Sequence, residues 1–431
     1  MLIRNASWLD DDGGIRTGSI VIQNSTVRSF GEALPASEAD EERFDAGGLL
    51  AVPGLIDSHT HFREPGDCRK EGISNGSRAA IAGGVTTVLD MPNNRPACST
   101  TSRLDAKKAL FRKKCSTNWG LHILPAAGWM TGEPPHPEKT ASAKVFMASS
   151  GQARAVISVD ELAAIFTKYR RITIHAEDES AFPHDASLPH HLARPRRSIV
   201  TALHKIDAAC GLIAPHCKPR LVLCHVSTRE EVEWLKTAKD RGWDVWGETC
   251  PHYLFFTQSD QERAGALLKA NPPLRTADDR AALLEAVANG TIDFVSTDHA
   301  PHLPDEKASA NPPSGIASIE WFLPLLSALA DRGSISWKRL LQLGCLNPAR
   351  CFAIPLRNGI KPGNFADIVF ISQPGRFIPK PEIITRAQVN PYKDFVFTRR
   401  IEAVLINGTW AYKSGDYFKD SSITKEVYEQ F

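Results

Sequence analysis

Leu49-Leu50-Ala51-Val52-Pro53-Gly54-Leu55-Ile56 runs without a charge into Asp57-Ser58-His59-Thr60-His61. A short apolar run of this kind, closed by polar residues, reads as a buried strand. Residues i and i+2 of a strand share a face, so His59 and His61 present both imidazoles to one point, as a metal ion requires. A His-x-His pair alone is a common accident. Its weight comes from its place at the C-terminal end of an apolar strand, where barrel active sites lie.

Working outward, further runs of strand length stand at Thr86-Thr87-Val88-Leu89, Gly120-Leu121-His122-Ile123-Leu124, Ala143-Lys144-Val145-Phe146-Met147 and Ile172-Thr173-Ile174. They continue at Leu221-Val222-Leu223-Cys224, Val245-Trp246-Gly247-Glu248 and Ile292-Asp293-Phe294-Val295, with helical patterns such as 230–241 and 278–289 between them. Repeated strand–helix units predict an α/β chain whose residues 51–355 form a TIM (β/α)8 barrel. A doubly wound sheet is the alternative, weakened by the lack of a glycine-rich phosphate loop after any early strand. Polar or proline-rich insertions are expected at 131–140, 182–198 and 303–314.

Both ends read differently. Gly18–Gln23 and Thr26–Phe30 flank Asn24-Ser25, and 402–406 and 409–412 flank Asn407-Gly408, a strong hairpin signal. Neither end is large enough to stand alone, so residues 1–50 and 356–431 are expected to build one small discontinuous β-sandwich.

The 431 residues carry 51 Lys+Arg against 49 Asp+Glu, a net charge of +2 that argues against a nucleic-acid partner. No apolar run reaches the roughly 18 residues that span a bilayer, and the start of the chain does not read as a signal peptide. Nine cysteines without a C-x-x-C pair read as buried thiols of a reducing compartment, so the expected location is cytoplasmic.

The chemistry collects at strand ends. His175 follows Ile172–Ile174, His225 follows Leu221–Cys224, and Asp298 follows Phe294–Thr297. Each alone reads as a hydrogen-bonded core residue; four histidines and a carboxylate at successive strand ends read as a metal site. Lys144 sits inside an apolar strand, where a bare ammonium is costly. It reads either as a snorkelling lysine or as a lysine converted by CO2 to a carbamate that bridges two ions. Two divalent ions leave excess positive charge beside Asp298 and one hydroxide, which favours the carbamate. Histidine and carboxylate ligands suit zinc.

These residues sit in longer motifs. Asp57–Gly66, Ala82–Thr87, Asp90–Asn94, Lys144–Phe146, His175–Glu177, Cys224–Ser227, Pro251–Leu254, Asn271–Arg275 and Ser296–His302 together closely resemble bacterial-type dihydroorotases of the amidohydrolase superfamily. The resemblance implies reversible hydrolysis of (S)-dihydroorotate to N-carbamoyl-L-aspartate, in pyrimidine biosynthesis, by hydroxide on a binuclear centre. It implies His59, His61, Lys144, His175, His225 and Asp298 as ligands of two divalent ions, zinc foremost, with a CO2-derived carbamate on Lys144. Asp298 is implied as the proton carrier; Arg63, Asn93 and His302 as substrate-carboxylate contacts; and Asn271 as a ring contact. The expected partner is this small molecule, with neither nucleic acid nor membrane, and a homodimer is allowed. Hydantoinases and allantoinases share the metal pattern, and an inactive scaffold is a third reading. Gly72 and Ala317-Ser318 depart from the family pattern and bear on loop geometry.

Overall fold

The computed structural model describes residues 1–31, 42–125, 137–185, 187–378, 382–418 and 421–429. Eight parallel strands form the barrel: Leu55–Thr60, Val85–Asp90, Asn118–Leu121, Ala143–Phe146, Arg171–His175, Arg220–Leu223, Val245–Thr249 and Phe294–Val295. Ladders join the first three and the last five. Single bridges, Ile123 to Ala143 and Thr60 to His299, connect the two arcs and close the ring. Nearly every residue of these strands is buried, as expected of parallel strands covered on both faces. Among the described residues, no helix is long and apolar enough to cross a membrane.

The apolar run that opened the sequence reading is two strands in two sheets. Leu50–Pro53 pairs with Ile368–Ile371 and with the first strand, Leu2–Leu9, whereas Leu55–Thr60 enters the barrel. Gly54 makes the step. A Cβ there would stand 2.1 Å from Thr86 Oγ1, so only glycine lets the chain pass between the sheets. The division at 50/51 therefore shifts: Ala51, Val52 and Pro53 belong to the terminal sheet, because their backbone groups pair there.

Among the described residues, that terminal sheet has nine strands drawn from both ends of the chain. It is one hydrogen-bonded sheet, and its two halves close over a shared core that includes Ile3, Trp8, Ile20, Phe370, Leu405 and Trp410. Asn24, Ser25, Asn407 and Gly408 all have positive φ, as two-residue hairpin turns demand.

The far C-terminal residues leave this sheet. Tyr392 packs in the main barrel core, and Tyr428 joins Ile56, Leu89, Phe294 and Phe352 in a smaller cluster. Tyr428 Oη donates to Phe352 O at 3.0 Å, and the main chain of 425–427 bonds to Trp119. Two large aromatics gain more burial against the barrel than a small sheet can offer, so 356–431 is shared between the two bodies.

The insertion expected at 182–198 contains a short helix, His190–Ala193, and the start of the long helix Arg196–Gly211. Of the stretch 131–140, residues 131–136 lie outside the described residues.

Candidate active site

A cavity of about 370 Å³ opens at the C-terminal ends of the barrel strands. His59, His61, Arg63, Asn93, His175, His225, Asn271, Asp298 and His302 all line it. Residues separated by up to 243 positions thus meet on one surface, because most stand at or soon after a strand end, while Asn271 is carried in by the long connection that follows Val245–Thr249. Lys144 is fully buried beside this lining, its Nζ 3.0 Å from Cys224 Sγ.

His59 and His61 project from the end of the first strand toward Asp298, their Nε2 atoms 3.4 and 3.1 Å from Asp298 Oδ1. Ligand-type atoms of His59, His61 and Asp298 lie within 4.8 Å of one another, and those of His59, Cys224 and Glu248 form a second such group. Across the cavity His175 Nδ1 and His225 Nε2 converge at 2.8 Å. Rings of His59 and His225 stand 5.5 Å apart, which makes one continuous donor surface.

Three of these imidazoles, His59, His61 and His175, are aimed by what lies behind them. Glu248, fully buried, places Oε1 2.7 Å from His59 Nδ1 and accepts from Ser58 Oγ at 3.1 Å. Asn93 Oδ1 sits 3.0 Å from His61 Nδ1, and Glu177 Oε2 sits 3.1 Å from His175 Nε2. A proton held on the outer nitrogen leaves the inner lone pair free for a cation. Burial, with the Arg63 charge, lowers His61 to about 4, so its imidazole is neutral near pH 7. Burial raises the Asp298 carboxyl, but His59 and His61 outweigh it and hold the group well below the usual carboxylate range.

The backbone is strained where the chemistry is placed. Arg63, His225 and Asp298 all adopt positive φ, at 63°, 40° and 45°. Asp57 stabilises the turn before Asp298 by accepting from Thr297 N at 3.0 Å and Thr297 Oγ1 at 2.5 Å.

The opposite wall is cationic and amide-rich. His302 contacts Arg63 Nη2 and Lys70 Nζ, each at 3.3 Å, and burial with these charges drives its pKa down to about 2. Arg63 Nε and Asn271 Oδ1 are buried and have no partner among the described residues. A donor and an acceptor left unmatched in a cavity wall suit a ligand that supplies both.

A metal fits this donor set on two observations. Imidazole nitrogens and one carboxylate converge at the distances above, and Lys144 has no carboxylate ion-pair partner among the described residues. A buried ammonium facing imidazoles and a thiol is poorly stabilised, whereas an anion on the same nitrogen would complement cations.

Sequence reasoning passed over Glu248, Glu177 and Arg194. Glu248 carried the same strand-end signal as the histidines. Arg194 did not: it reaches the cavity from the 182–198 insertion, with Nη2 2.6 Å from Glu177 Oε2 and 3.3 Å from His175 Nε2. Arg275 lies behind the wall, donating through Nη1 to Arg194 O at 3.0 Å. His122, one residue past the strand Asn118–Leu121, bonds Ser142 Oγ and Ser58 O, as a core histidine does.

Residues 50–411 match the model of the amidohydrolase family. The chain belongs to the amidohydrolase family. A dihydroorotase of Bacillus subtilis (strain 168) is 31% identical to this amidohydrolase over 97% of the chain and 99% of the relative. An allantoinase of Rubrobacter xylanophilus is also 31% identical, over 94% and 92%. Among solved structures, an L-hydantoinase from Arthrobacter aurescens superposes with a TM-score of 0.87 at 24% identity, over 99% of each chain. That likeness establishes the barrel with its terminal sheet as the shared fold.

The structure gives Gly72 and the stretch around Ala317-Ser318 local roles. Gly72 has φ 81° and precedes helix Ile73–Ala82, whose first amide is capped by Glu64 Oε2 at 3.0 Å. Ser318 Oγ bonds Tyr392 Oη at 3.2 Å, away from the cavity, while Gly315 lines it.

Proposed function

We propose that this amidohydrolase is a dihydroorotase, interconverting (S)-dihydroorotate and N-carbamoyl-L-aspartate, a reaction of de novo pyrimidine synthesis. The observation that carries the reading is the pairing of Arg63 and His302 on the wall facing His59, His61 and Asp298. A planar guanidinium beside a neutral imidazole suits a free carboxylate, which dihydroorotate has and simple hydantoins lack.

His59, His61 and Asp298 would hold one divalent ion, His175 and His225 the other, and a carbamate on Lys144 would bridge them; zinc suits such ligands. Bound there, the ions supply Lewis acidity toward the ring carbonyl and make water acidic enough to attack near neutral pH. The chain's own groups do the rest. Arg63, Asn93 and His302 grip the carboxylate, and Asn271 offers Oδ1 to a ring N–H. Asp298 takes the proton of the attacking water and delivers it to the leaving amide nitrogen. In ring closure Asp298 starts protonated, so synthesis is favoured at lower pH.

A second reading, allantoinase or hydantoinase, is favoured by the equal identity of the Rubrobacter allantoinase. The test compares cyclisation of N-carbamoyl-L-aspartate with hydrolysis of hydantoin and allantoin on metal-replete protein. Fastest turnover of carbamoyl-aspartate is expected; faster hydantoin or allantoin turnover overturns the assignment. The complete donor set supports a working enzyme over an inactive scaffold, which would turn over none of the three.

A further inference from the structure

The wall that would grip the carboxylate is built from two loops, 62–66 after the first barrel strand and 91–95 after the second. One buried cation joins them. Lys107, in helix Thr101–Lys114, is 1% exposed. Its Nζ pairs with Asp90 Oδ2 at 2.6 Å and donates to Met91 O and Asn94 Oδ1, both at 2.7 Å. Met91 and Asn94 bracket Asn93, so the ammonium holds the loop on both sides of that side chain.

Asp90 carries the restraint across to the other loop. Its Oδ1 accepts from Phe62 N at 2.8 Å and from Thr60 Oγ1 at 3.2 Å. Phe62 immediately precedes Arg63, whose φ of 63° is unfavourable for a residue with a side chain. An anchored preceding amide resists relaxation of that conformation. The loops also touch directly, Arg95 N donating to Pro65 O at 3.3 Å. Lys107 touches neither the cavity nor the metal-competent histidines.

We propose that Lys107 is a positioning residue for substrate-carboxylate recognition, setting through Asp90, Met91 and Asn94 the directions in which Arg63 and Asn93 meet the ligand. The inference rests on the dihydroorotase reading. An ordinary buried ion pair would affect stability alone, whereas this one links two loops whose side chains converge on one anion.

The test uses metal-loaded Lys107→Met, with Asp90→Asn/Lys107→Met as the second variant, because removing both charges spares Asp90 an unpaired burial. Arg357→Met serves as control: Arg357 forms a buried pair with Asp367 at the terminal sheet, away from the cavity. Expected is a rise in KM for dihydroorotate of roughly tenfold or more, with kcat and metal content within about twofold of the unaltered enzyme. Arg357→Met should leave KM unchanged at comparable loss of melting temperature. Orotate, a carboxylated competitor, should lose affinity in parallel with KM. A normal KM in either Lys107 variant, or the same KM rise in Arg357→Met, overturns the inference. Absence of dihydroorotate turnover in the unaltered chain instead overturns the functional reading on which it rests.

Discussion

Replacing Glu248 by glutamine tests whether the buried carboxylate behind His59 acts on the metal site. Oε1 lies 2.7 Å from His59 Nδ1, and neither residue is more than 2% exposed. Glutamine has the same shape: its carbonyl can accept the Nδ1 proton, and its amide can face Ser58, whose hydroxyl also contacts Ser296 Oγ at 2.6 Å. No cavity opens and no buried group is stranded. What changes is the charge on the acceptor. A hydrogen bond to a charged group contributes about 1.5–3 kcal/mol and a neutral one about 0.5–1.5 kcal/mol, so about 1–2 kcal/mol is lost. At 1.4 kcal/mol per decade, this corresponds to roughly five- to thirtyfold weaker ion binding, which overlaps the range of about 10–100-fold for partners behind metal-bound histidines. The assay is titration of zinc into stripped protein against a chromophoric chelator, with melting temperature followed in parallel. Zinc affinity within about twofold of the unaltered chain would refute the idea that Glu248 tunes His59.

Asp298→Asn should abolish turnover in both directions while most bound metal remains, measured by kinetics and elemental analysis; near-normal turnover at full metal would remove Asp298 as the proton carrier. Gly315→Ala places a Cβ 2.3 Å from Ala300 O at φ 145°, so about 1–3 kcal/mol of stability should be lost, along with dihydroorotate affinity, in denaturant titration and steady-state kinetics. Burial lifts Glu231 to about 7 despite donors from Ser227 and Thr228. The folded chain then keeps a proton that the unfolded chain releases near 4.5, so this group's destabilising effect is absent at low pH and grows as pH rises through about 7. Glu231→Gln should flatten that part of the stability profile between pH 5 and 8, and an unchanged profile in urea melts would contradict it.

The strand-end histidines were legible because barrel geometry brings every strand's C-terminal end to one rim, so the order of motifs in the chain already implies their meeting in space. The hairpins at Asn24-Ser25 and Asn407-Gly408 were legible for a local reason: positive φ at both positions favours those residue types. Arg194 and Lys107 were not legible. Nothing in the spacing of Leu192-Ala193-Arg194-Pro195 says that the insertion folds over His175, and Lys107 lies among five other cations in a helix whose pattern looks solvent-facing.

By itself, the sequence determined the barrel, the terminal β-structure and the donor types at the strand ends, because periodicity and strand-end chemistry are properties of neighbouring residues. Tertiary structure alone decided where one apolar run divides between two sheets at Gly54, which aromatics of the C-terminal region complete the barrel core, and which carboxylate or amide aims His59, His61 and His175. Those outcomes depend on contacts between segments far apart in the chain. Glu248 behind His59 is 189 residues away, and its partner is selected by the closure of the ring, not by any local pattern.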